Sequence, residues 1–150
     1  MTDRQTFLHD YPLGQAGQDA TAMLAAFAKE PGWEGRYRTL ILQGKALPVL
    51  PAAWRGSEQE LDGCESTVWL IGEADANGRW HFAADSDARI VRGLLAVVLA
   101  AFNHQTAAAI LAFDIDSYFE QLQLTKHLSP SRGNGLRAMV EAIRKQVQAG

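Results

Sequence analysis

The sequence predicts an α+β domain: a small antiparallel sheet of about three strands packed against helices, in the order α-α-β-β-β-α-α-α-α. Two observations carry this. Thr67 to Ala84 holds two runs rich in β-branched and aromatic residues around Asp75-Ala76-Asn77-Gly78, a hairpin signal. On both sides of it, apolar residues recur at the three- and four-residue spacing of a helix face: Trp33, Tyr37, Leu40 and Ile41 before it, Leu136, Met139, Val140, Ile143 and Val147 after it.

Taken in order, residues 1–18 are polar and turn-rich (Pro12, Gly14, Gly17) and are expected to form a loosely ordered arm ahead of a single domain, 19–150. Asp19 or Thr21 can cap a helix that Pro31-Gly32 ends at about residue 28. A second helix is expected over 33–46, where Pro48 disfavours continuation, and 48–56 is a loop. Residues 58–61 are expected to be a short edge strand, 67–74 a strand and 79–84 its hairpin partner. Asp85-Ser86-Asp87 offers a cap for a helix over about 88–102, apolar round most of its circumference and therefore central. Short helices are expected after Thr106 and after Asp116 or Ser117, and a last helix from Ser131.

The composition bounds the function. The chain has 150 residues, enough for one domain with a real core. Fourteen Lys and Arg against seventeen Asp and Glu leave a net charge of −3, which argues against nucleic acid as the main partner. The longest apolar run, 94–102, is too short to cross a bilayer. The first residues lack the pattern of a signal peptide, so a reducing cytoplasm is expected.

The chain has one cysteine, Cys64. A lone thiol makes no internal disulfide and no multi-cysteine metal site, so any role for it is chemistry at one sulfur. Gly63 permits tight backbone geometry beside it, and Thr67 starts a strand just after it. A buried apolar cysteine is the alternative, but Glu60, Asp62, Gly63, Glu65 and Ser66 make a polar surround. Those carboxylates disfavour a thiolate, so activation has to come from elsewhere in the fold.

Gly63-Cys64-Glu65-Ser66-Thr67-Val68-Trp69-Leu70 resembles the cysteine motif of the SufE/CsdE family of sulfur-acceptor proteins. Trp33-Glu34-Gly35-Arg36-Tyr37 with Gly44-Lys45-Ala46-Leu47-Pro48 resembles the family's second helix and its exit. Asp85 to Val97 resembles its central helix, and His127-Leu128-Ser129-Pro130-Ser131-Arg132-Gly133-Asn134-Gly135-Leu136 its C-terminal signature. The blocks follow the family's order and spacing. Tyr11-Pro12-Leu13-Gly14 and Gly63-Cys64-Glu65 lean to the CsdE branch.

The resemblance implies a fold shared with iron–sulfur scaffold proteins, Cys64 as the sulfur acceptor, and Arg132 close to it, with Gly63 and Ser66 in support. It also implies a PLP-dependent cysteine desulfurase as partner and no cofactor or metal held by this chain. The acceptor's chemistry is thiol–disulfide exchange with one sulfur moved, which needs thiolate character, access and reach. Arg132, at a helix start, can supply the positive charge, or can pair with an acidic residue as an ordinary surface arginine.

Rival functions remain open on the sequence. An iron–sulfur scaffold ordinarily takes several cysteines and one is present, which excludes it for the monomer. A cysteine-dependent hydrolase or peroxidase needs a base, for which His127 is the one candidate. A desulfurase-binding adaptor would not use the thiol. His9, His81, His104 and His127 have no metal-ligand spacing and read as surface or satisfied core residues. Asp85 and Asp87 read as helix caps, Trp33, Tyr37 and Trp69 as core aromatics, and Gly133 and Gly135 lack the ending of a phosphate loop.

Overall fold

The computed structural model describes residues 3–14, 17–61 and 66–149. Among the described residues three α-helices and the short 3-10 turn Ala52–Trp54 precede the hairpin. Helix α1 (Arg4–His9) is capped by Asp3, whose carboxylate accepts the Thr6 N–H at 3.4 Å. In α2 (Ala20–Ala28) the Asp19 carboxylate accepts the Ala22 N–H at 3.0 Å. Helix α3 (Trp33–Ala46) stops where Leu47 turns extended ahead of Pro48. The first residues, expected to be a loose arm, carry α1 and bury Leu8, Tyr11 and Leu13 in the core. These three apolar side chains are spaced too irregularly among polar ones to read as a periodic face. Gly14, at φ +90, lets this segment close on the body: a Cβ there would lie 2.4 Å from the Asn103 Cβ.

The hairpin is β1 (Val68–Ala74) and β2 (Arg79–Ser86), antiparallel from Val68↔Ser86 to Ala74↔Trp80. Its turn is held by Asp75, which accepts the N–H groups of Asn77 at 2.8 Å and Arg79 at 3.0 Å. The third strand differs from expectation. It is β3 (Gln105–Thr106), paired with the start of β2. Residues 58–61 supply only the bridge Glu60↔Trp69, flanked by Leu61 N–H to Val68 O at 2.9 Å and Leu70 N–H to Gln59 O at 2.9 Å. β3 arises because Asn103 reaches the Phe82 backbone, accepting its N–H at 2.6 Å and donating to its carbonyl at 3.0 Å.

Helix α4 (Arg89–Phe102) is the core element, buried without a break from Gly93 to Phe102. The Asp85-Ser86-Asp87 cap does not form. Asp85 and Ser86 end β2 and are buried, and α4 begins after Ala88 with no side-chain cap on its first turn. Asp85 instead accepts the Leu50 N–H at 2.9 Å and pairs with Arg92, whose other donors go to the carbonyls of Gly44 at 3.1 Å and Leu47 at 2.5 Å. The buried carboxylate thus has a part-buried guanidinium and a backbone N–H as partners, as a charge taken out of water requires.

Four more helices follow. Thr106 caps α5 (Ala107–Ala112) by accepting the Ala109 N–H at 3.2 Å, and Asp114 caps α6 (Ile115–Leu122) by accepting the Ser117 N–H at 3.0 Å. The single turn α7 (Leu124–His127), not foreseen, follows Gln123 at φ 61. In α8 (Pro130–Ala149) the expected stripe of Leu136, Met139, Val140, Ile143 and Val147 is buried. Arg36 knits two distant pieces, donating to Glu30 O at 2.9 Å and Leu122 O at 3.0 Å.

Candidate functional site

Gly63 and Cys64 lie outside the described residues. The described residues flanking them define a location. On one side Leu61 is bonded to Val68; on the other, the Ser86 hydroxyl donates to the Thr67 carbonyl at 2.7 Å and accepts the Ala88 N–H at 3.2 Å. Ser86 thus ties the entry to β1 to the start of α4.

Beside this lies a cavity of about 440 Å³. Ile90, Val91 and Leu94 of α4 and Met139 of α8 make its floor, and all four are buried. Its rim is polar and comes from two distant parts of the chain: Ser66 from one, Ser129, Ser131 and Arg132 from the other. Two sequence-predicted site residues, Ser66 and Arg132, therefore face one cavity.

The rim's geometry follows from how α8 begins. Ser129 caps it, accepting the Arg132 N–H on its hydroxyl at 3.4 Å and the Gly133 N–H on its carbonyl at 2.9 Å. Pro130 is suited to the first helical position, which has no N–H to lose. The start of a helix concentrates partial positive charge, and Arg132 adds a full one. Among the described residues no carboxylate lines the cavity or pairs with Arg132. An apolar floor under one cationic rim suits a small, polarisable, singly charged group such as a thiolate or persulfide.

The other candidates fall elsewhere. His127 stacks on Trp33, ring centroids 4.6 Å apart and 16° from parallel, and is not among the cavity's lining residues. Tyr37, expected in the core, is 40% exposed and packs edge-on to Trp33 at 6.3 Å. Trp69 is half-buried beneath the Arg55 guanidinium, 5.8 Å from its ring. Sequence reasoning missed Ser129 and Ser131, although Ser-Pro before a periodic stretch is a helix-start signal that marks Ser129. It also missed the convergence of His9, His81 and His104, which are far apart in sequence. Among the described residues no group of His, Cys, Asp and Glu suits a metal ion, and no helix is long and apolar enough to cross a membrane.

The family model described as "SufE: Fe-S metabolism associated domain" matches residues 21–147, and the chain belongs to the SufE family. Among its relatives, the sulfur acceptor protein CsdE of Escherichia coli (strain K12) is 45% identical over 124 residues, covering 83% of this chain and 84% of that protein. The solution structure of a hypothetical protein from Thermus thermophilus shares the fold, with a TM-score of 0.69 at 16% identity over 87% of this chain and 93% of that one.

Proposed function

We propose that this protein is a sulfur carrier: Cys64 accepts persulfide sulfur from a PLP-dependent cysteine desulfurase, stimulates that enzyme, and passes the sulfur to iron–sulfur cluster assembly or another sulfur-using pathway. The observation that carries the reading is the cavity in which Ser66, two residues from the sole cysteine, meets Arg132 over an apolar floor. Kinship with a named sulfur acceptor supports it.

The step balances without a cofactor on this chain. The Cys64 thiolate attacks the outer sulfur of the donor's persulfide. A new S–S bond forms at Cys64 as the donor's S–S bond breaks, and the donor cysteine leaves as a thiolate that takes up a proton. There is no net oxidation. Arg132 offsets the negative charge before and after transfer, and the floor keeps oxidants from the loaded sulfur. The reading places the protein in a reducing cytoplasm, where a lone thiol stays free.

The position of His127 favours this over a cysteine hydrolase, which needs a base at the thiol. The deciding experiment is intact-mass analysis after incubation with a matched desulfurase and free cysteine. Mass should rise by one sulfur, return on reduction, and stay unchanged in Cys64→Ser. A variant that still stimulates the desulfurase without loading would assign an adaptor role instead.

A further inference from the structure

His81 and His104 meet beside the end of the N-terminal helix, where the largely exposed His9 lies over His81, away from the residues lining the cavity at Arg132. His81, on β2, has its ring almost wholly covered, and its Nε2 lies 2.8 Å from Asp75 Oδ2. His104, before β3, meets that ring edge-on with centroids 4.5 Å apart and an interplanar angle of 89°. His9, at the end of α1, lies over His81 at 5.8 Å. His81 Nδ1 and His104 Nε2 are both buried with no hydrogen-bond partner. Among the described residues the imidazoles do not group as metal ligands would.

The hydrogen bonds fix which protons this arrangement tolerates. Asp75, whose carboxyl is held down at about 2 chiefly by the hydrogen bond with His81, stays ionised and is already committed to His81 Nε2. An added proton at His104 has no such partner. His104 already donates one ring N–H to the Tyr11 carbonyl, so an added proton falls on the partnerless Nε2, beside His81. Burial, first, and then His81 hold the His104 imidazole below its ordinary value; the hydrogen bond to the Tyr11 carbonyl and, more weakly, Asp75 pull the other way and are outweighed.

The surrounding charges leave that balance in place. On α1 and its ends, Arg4 is paired with Glu73 of β1 at 3.3 Å, His9 Nδ1 lies 3.5 Å from Asp10, and Asp3 is spent on the cap. From β2, the Arg79 guanidinium donates to the His104 carbonyl at 2.8 Å, bringing another positive charge. A cavity of about 470 Å³ runs between α1 and the hairpin, with His9, Asp75 and His81 on its wall, so water is close by once the cover lifts.

We propose that His104, packed against His81 beneath His9, is a proton-operated latch that holds residues 3–14 against the sheet near neutral pH and releases them when it takes up a proton on its partnerless nitrogen. The cover is the segment that release would move. Tyr11 accepts from His104, and Phe7 packs on Trp54 with ring centroids 5.3 Å apart. The sign follows from linkage. A histidine depressed in the folded state binds fewer protons there than in the released state, so the closed form is favoured above the ordinary imidazole value and loses ground below it. Release uncovers Trp54, on the stretch between α3 and β1.

Amide hydrogen exchange on the full chain tests this. After correction for intrinsic rates, protection of residues 4–13 relative to α4 should fall by up to about tenfold per pH unit between about pH 6.5 and about pH 5.5, one proton's worth. In His104→Asn, which tolerates the left-handed backbone at this position (φ 65), that dependence should vanish. Equal protection at both pH values, or an unchanged dependence in the variant, overturns the latch. If the variant misfolds, a wild-type NMR titration decides. His104 should titrate below 6.5, and in His81→Gln, which keeps a donor for Asp75, its midpoint should rise. A His104 midpoint at or above 6.5, or one unmoved by that substitution, also overturns it.

Discussion

Gly44 and Gly93 touch where α3 crosses α4. A Cβ on Gly44 would lie 2.7 Å from the Gly93 nitrogen, and one on Gly93 would lie 2.3 Å from the Leu40 carbonyl oxygen. The obstructing atoms are backbone, which cannot swing aside. Because α4 also supplies the apolar floor of the candidate site, this crossing sets where that floor stands.

Gly93→Ala should therefore destabilise the fold by about 1–3 kcal/mol, the usual cost of overpacking. Gly133→Ala, where a Cβ would meet nothing within 4 Å, should be neutral or slightly stabilising in the same helical context. Denaturant titration of the two variants checks the contrast.

Removing Arg92 should cost about 3 kcal/mol, since the Asp85 carboxylate stays buried without its counter-charge, and removing Asp85 should cost less, because Arg92 is part-exposed and keeps the Gly44 and Leu47 carbonyls. Arg92→Lys should recover only part of the loss on removing Arg92, because an ammonium cannot span Asp85, Gly44 and Leu47 together. Thermal unfolding of Asp85→Ala, Arg92→Ala and Arg92→Lys orders the three.

Asp75 gives the acid limb of stability a specific component. Its folded carboxyl is held at about 2 against an ordinary 3.8, first by the His81 hydrogen bond and then by the Arg79 N–H. A depressed carboxylate stabilises the fold above its unfolded value and loses that contribution as pH falls through the folded one. Stability of the wild type should fall between 3.8 and about 2, and Asp75→Asn should flatten that part of the curve. Urea midpoints measured across this range are the test.

At the site, Arg132→Ala should lower desulfurase stimulation about tenfold, roughly 1.4 kcal/mol, while leaving the fold intact. The residue is exposed on the first turn of α8, so little of the core depends on it. Thiol titration of Cys64 in both proteins separates two causes. A raised thiol value assigns Arg132 to thiolate stabilisation; an unchanged value with weaker partner binding assigns it to docking. Normal stimulation by the variant would remove Arg132 from the site.

Local signals in the chain proved readable wherever one residue type dictates one geometry. Asp19, Thr106 and the Asn77-Gly78 turn stand where capping and hairpin rules put them. The stripe on α8 is the stripe its spacing predicts. What failed depended on distant partners. Asp85 looked like a cap because its acceptor role toward Leu50 and Arg92 has no local trace. The strand at Gln105 is too short to show a period and exists because Asn103 reaches Phe82. At the site, the resemblance singled out Ser66 and Arg132, while the floor from α4 and the rim serines became visible only when helices far apart in sequence were seen side by side.

The cavity's rim has a consequence for the chain as it is made. Ser66 is synthesised long before Arg132, and the helix that carries Arg132 follows every other described element. Until α8 docks on α4, Ile90, Val91 and Leu94 face no Met139, and no cation stands over them. A nascent chain thus carries Ser66 before the rest of the cavity's lining exists. On the proposed reading, docking of α8 is what completes the site for an anionic sulfur.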